Sequence, residues 1–100
     1  MNEAVGARRT PRIVAIDDDP LVRRTLEVFF AEKGYALVAA VDGSTGLERV
    51  QRDRPDVVIL DNVLPDFGGL EVLKQIRSFD RHLPVLFVTA QGRAARPSKR

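Results

Sequence analysis

The chain has 100 residues and no cysteine; 44% of the residues are hydrophobic and 30% are charged. That suffices for one domain with a core, and it excludes a disulfide framework, a thiolate nucleophile and a cysteine-held metal. No apolar run nears the roughly 20 residues of a membrane span, and the opening MNEAVGARRTPR lacks the apolar stretch of a secretory signal, so the expected location is the cytoplasm. The net charge of +2 is uneven: residues 1–12 carry +2, residues 93–100 carry +4, and residues 13–92 carry −4. An acidic body repels phosphodiester backbones, so direct nucleic-acid binding is not expected. Residues 1–11 read as a disordered basic lead, residues 12–92 as the domain, and residues 93–100 as a disordered basic tail.

Ile13-Val14-Ala15-Ile16 is a continuous apolar run rich in β-branched residues, the pattern of a strand buried on both faces. It stops at Asp17-Asp18-Asp19-Pro20, where Asp19 suits a helix cap and Pro20 the first helical position. From Leu21 to Lys33, Val22, Leu26, Phe29 and Phe30 share one helical face, and Gly34 supplies a stop. Tyr35 to Ala40 reads as a second strand, and Asp42-Gly43 as a turn. Thr45 with Glu48 predicts a capping box for a short helix that ends before Pro55. Val57-Val58-Ile59-Leu60 is another buried strand, ending in Asp61. A loop with Pro65, Gly68 and Gly69 leads to a helix marked by Leu70, Val72, Leu73 and Ile76. Pro84 to Val88 is a fourth strand, ending in Thr89. Phe29, Phe30 and Phe87 are expected in the core. Strands alternating with helices predict an α/β fold, a parallel sheet covered by helices on both faces.

Ligands of open parallel sheets bind at the carboxyl ends of the strands. Here those ends carry Asp17, Asp18, Asp61 and Thr89. If the first and third strands are neighbours, the carboxylates converge, and their charges need a cation or a proton. Hard oxygens without histidine or cysteine select Mg²⁺ or Mn²⁺. Asp61 could then serve as a nucleophile, since carboxylates form acyl phosphates. Thr89 could donate to a phosphoryl oxygen. His82 lies in a polar loop and reads as solvated.

The segments RIVAIDDDPLVRRTL, PDVVILDNVLPDFGGLEVL and LPVLFVTA resemble, in order and spacing, the CheY-like receiver domain of two-component response regulators. The resemblance covers residues 12–92. It implies a flavodoxin-like, doubly wound parallel sheet with strand order 2-1-3-4. It implies that Asp61 accepts a phosphoryl group from a sensor histidine kinase or a histidine phosphotransfer protein. Asp18 would then bind Mg²⁺ directly, Asp17 largely through water, and Val63 through its backbone carbonyl. Thr89 matches the switch hydroxyl, Ala90 the small residue that leaves the phosphoryl group room, and Pro65 the loop proline. The implied activity is that of a signalling module with self-phosphorylation and autodephosphorylation, not of a turnover enzyme.

Gly68 stands where the family usually has an acidic residue. The family continues through a fourth helix, a fifth strand and a fifth helix, and the fifth strand supplies a phosphoryl-binding lysine. Lys99 falls too soon after Thr89 to take that role, so the sequence reads as a receiver that stops after its fourth strand, impaired in phosphorylation and open to self-association through that strand's edge. Two other readings use the same residues. One is an interaction domain that is never phosphorylated. The other is a fragment of a haloacid-dehalogenase-like phosphatase with Asp17 as nucleophile. The kinase, the stimulus and the output are not legible in the sequence.

Overall fold

Apolar runs and helical stripes alternate along the chain, and so do the elements they form. The computed structural model describes residues 9–88. Within them β1 (Arg12–Ile16), α1 (Pro20–Glu32), β2 (Ala36–Ala40), α2 (Gly43–Asp53), β3 (Val57–Asp61), α3 (Gly69–Phe79) and β4 (Val85–Val88) follow in order. The four strands pair parallel in the order β2-β1-β3-β4, the expected doubly wound arrangement.

The two central strands are apolar on both sides because each side is covered. Val14, Ile16, Val58 and Leu60 pack with Val50 of α2 and with Val72 and Ile76 of α3. Ile13, Ala15 and Ile59 point the other way, toward Leu26 and Phe30 of α1. The period of two along each strand therefore feeds two separate cores. Each fully buried aliphatic side chain contributes about 1.5–3 kcal/mol through this burial.

Several local details differ from the sequence expectation. α2 starts at Gly43, with Asp42 as its cap, rather than at Thr45. Asp42 Oδ1 accepts from Thr45 N at 2.9 Å and from the Thr45 hydroxyl at 2.7 Å, so Thr45 turns back toward Asp42 instead of capping the helix itself. β2 starts at Ala36; Tyr35 belongs to the turn after α1, where Gly34 adopts φ +86°. That value favours glycine, as the stop signal required.

Phe29 and Phe87 are not in the core: they are 49% and 40% exposed. α1 has no fully buried residue. Phe29 instead meets the Phe30 ring edge-on at 5.0 Å and lies 5.1 Å from Lys33 Nζ. Phe87 sits on β4, which among the described residues pairs on one side only. Asp19 caps α1 as read, accepting from Leu21 N at 2.9 Å.

The amino ends of the strands are tied by Asp56. Its carboxylate accepts from Arg12 N at 2.8 Å and pairs with the Arg9 guanidinium at 3.2 Å. The Arg12 N–H holds this carboxyl below the usual carboxylate range, outweighing a small loss of hydration, and Arg9 adds to it. Pro11 O accepts from Ala36 N, so of the residues read from the sequence as part of the lead, Pro11 contacts the sheet and Arg9 the residue just before β3.

Candidate functional site

β1 and β3 are adjacent and in register, with Ile16 beside Leu60. The next residue of each strand is an aspartate, so Asp17 and Asp61 emerge side by side at the same end of the sheet. Asp18 follows on the same turn. Each of these three carboxylates offers an oxygen, and the oxygens lie within 4.8 Å of one another. Asp17 and Asp61 are buried, at 6% and 4% exposure, while Asp18 is exposed.

Burial is the largest influence on Asp17 and raises its pKa; the Asp19 N–H opposes this, and the charges of Asp61, Asp18 and Asp19 add to the rise. Asp17 Oδ1 accepts from Asp19 N at 2.9 Å, and Asp61 Oδ1 accepts from Val63 N at 3.2 Å. One oxygen of each buried carboxylate is thus committed to the following turn. Among the described residues, no protein donor reaches the other oxygen of either.

A frame that the sequence did not reveal surrounds the cluster. Arg23 Nη1 of α1 donates to the Asp17 carbonyl at 2.9 Å, which pins the chain as it leaves β1. Asp66, in the loop after Asp61, accepts from Gly43 N, Ser44 N and Phe67 N at 2.8, 2.9 and 2.8 Å. Its position between Pro65 and Gly68 marked a turn, but nothing local marks partners more than twenty residues upstream. Gly69 is required by close approach: a Cβ there would stand 2.7 Å from Asp61 O and 2.9 Å from Phe87 Cε1.

The donor set fits a hard divalent cation. Three carboxylate oxygens with no histidine or cysteine among them suit Mg²⁺. Their 4.8 Å span is slightly wider than the about 4.2 Å between opposite oxygens around Mg²⁺, a gap that small side-chain rotations or an intervening water close. Val63, the expected carbonyl ligand, lies on the turn directly after Asp61. Thr89 and Ala90 lie outside the described residues.

Known proteins are similar to this chain in sequence and fold. The family model described as "Response regulator receiver domain" matches residues 13–99. "Response regulator MprA" from Mycobacterium leprae is 46% identical over 80 residues, which are 80% of this chain and 35% of that protein. The chain thus spans about a third of the length of the curated relatives it matches. The non-phosphorylated HemR receiver domain from Leptospira biflexa superposes with a TM-score of 0.77 at 32% identity, over 82% of this chain and 66% of that one. TrrA from Thermotoga maritima, solved in complex with Mg(2+)-BeF, superposes with a TM-score of 0.79 at 31% identity, over 86% of this chain and 75% of that one. Nothing in the geometry or in these likenesses favours the phosphatase-like or the never-phosphorylated alternative. With the strand order, the acidic cluster and the family match agreeing over most of its length, the chain belongs to the receiver domains of response regulators.

Proposed function

We propose that Asp61 is the phosphoacceptor of this receiver, loaded from the phosphohistidine of a sensor kinase or of a histidine phosphotransfer protein in the cytoplasm. The observation that carries this reading is the convergence of Asp17, Asp18 and Asp61 oxygens within 4.8 Å. Asp61 and Asp17 each have one oxygen held by the following turn and, among the described residues, no donor on the other. Asp61 is the one that lies within its strand, beside Val88 of β4, and the one that the receiver pattern assigns as acceptor. Its free oxygen attacks the phosphorus of the donor. The P–N bond breaks, its electron pair and a proton end on the imidazole, and an acyl phosphate forms on Asp61. Attack by water on the same phosphorus later breaks the new P–O bond and restores the carboxylate.

By the family pattern Asp18 would hold the cation directly, Asp17 largely through water, and Val63 by its backbone carbonyl. Mg²⁺, or Mn²⁺ in its place, would supply the positive charge that offsets the carboxylates and the incoming phosphoryl oxygens. By the family pattern Thr89 donates its hydroxyl to the phosphoryl group, and Ala90 leaves it space.

The test is intact-mass analysis of the protein after incubation with Mg²⁺ and acetyl phosphate. One phosphoryl-sized increment is expected, absent in Asp61→Asn and absent when EDTA replaces the metal. Retention of the increment in Asp61→Asn overturns the assignment.

A further inference from the structure

We propose that Asp66 is a positioning residue of the phosphoacceptor site, clamping the loop between Asp61 and Gly69 onto the amino end of α2. The inference rests on the reading of Asp61, Asp18 and Val63 given under Proposed function. The first N–H groups of a helix have no partner within the helix. In α2, Asp42 satisfies Thr45 N, as a local cap does. The two N–H groups before it, on Gly43 and Ser44, are satisfied from a different loop by Asp66. The same carboxylate takes Phe67 N, so it joins the two loops and turns its own loop at once. The helix dipole favours an anion there as well. Loss of hydration raises the Asp66 pKa, but the N–H groups of Gly43, Ser44, Phe67 and Asp66 itself outweigh it and leave the carboxyl below the usual range. The clamp is therefore ionised at neutral pH. Phe67 reinforces it, because its ring lies where a Cβ on Gly43 would be, 2.7 Å from Cε1.

The consequence for the site is geometric. Val63 sits between two fixed points: its N–H is bound to Asp61, and three residues later Asp66 is tied to α2. Gly69 N, donating to Asn62 O at 2.9 Å, closes the loop from the far side. A carbonyl at Val63 is then held in place before any cation arrives. Partners that orient a ligand without touching the metal typically change its affinity 10- to 100-fold.

The experiment is a Mg²⁺ titration of the full chain followed by amide chemical shifts, with metal-free melting temperatures in parallel. Asp66→Ala should weaken Mg²⁺ binding about tenfold. Asp56→Ala is the control, since it removes bonds to Arg12 N and Arg9 at the opposite end of the sheet. It should lower the melting temperature and leave the Mg²⁺ affinity unchanged. Should Asp66→Ala not fold, Asp66→Asn decides: it keeps Oδ1 but loses the Ser44 bond, and several-fold weaker binding is expected. Wild-type affinity in a folded Asp66 variant overturns the proposal, and so does an equal loss of affinity in Asp56→Ala. A wild-type chain that binds no Mg²⁺ overturns the phosphoacceptor reading and the clamp with it. Binding that is lost in Asp61→Asn but kept in Asp66→Ala overturns the clamp alone.

Discussion

Asp17 shows how a site can oppose the fold that carries it. Its carboxyl is pushed above 3.8 by burial first, against the Asp19 N–H, and by three neighbouring acids. In the unfolded chain the proton leaves at the ordinary value; in the folded chain it leaves later. Between the two values the folded state binds more protons, so metal-free stability falls as pH rises through that window. Below 3.8 the group contributes fully, and above its raised value the contribution is gone. Asp17→Asn keeps an oxygen for Asp19 N and removes the charge. In EDTA at neutral pH it should raise stability by about 1 kcal/mol, the ordinary size of a single-site effect, and the gain should vanish in acid. Melting curves across pH check both, and a neutral-pH loss refutes the prediction. The cluster was legible in the sequence because Asp17 and Asp61 each end an apolar run and Asp18 follows Asp17 directly. Asp66 was not, because its partners are backbone amides, which carry no residue signature, and they lie across the fold.

At the scale of elements, two glycines set how closely helices approach the sheet. Gly46 of α2 faces Ile16 of β1, whose Cγ1 would stand 2.7 Å from an added Cβ. Alanine would gain about 1 kcal/mol of helix propensity, but overpacking a core typically costs about 1–3 kcal/mol. The obstruction is a side chain, so it can be relieved. Gly46→Ala should lower the urea midpoint, and adding Ile16→Val should recover part of the loss. At Gly69 the nearest atom is the Asp61 carbonyl, which no companion substitution removes, so no such recovery is available there. The strands and helices were readable from their periods. The start of α2 was not, since Thr45 and Glu48 matched a capping box while Asp42, just upstream, had the better geometry for the Thr45 N–H. A pattern of side chains at fixed spacing cannot rank two competing caps.

For the whole molecule, the acidic cluster joins β1 to β3, and its carboxylates come together only on folding. A cation that binds only the folded chain adds stability by mass action, about 2.7 kcal/mol at one hundred times its dissociation constant. The melting temperature should therefore climb with Mg²⁺ concentration, and Asp61→Asn should flatten that climb. A flat response in the wild type refutes the prediction. Strand order was foreseeable through the resemblance to receiver domains, which implies 2-1-3-4, while the acids alone left the neighbour of β1 open. The exposure of Phe29 and Phe87 was not, since burial depends on how far each neighbouring element reaches, and a single chain's periodicity does not encode that reach.

The parallel order has a further consequence for synthesis. β1 leaves the ribosome first, yet it lies between β2 and β3 and cannot be enclosed until the latter emerges. A nascent chain stalled before Val57 would present Ile13 to Ile16 bare along one edge. That is the interval in which a chaperone would find its binding stretch, and it closes when β3 docks.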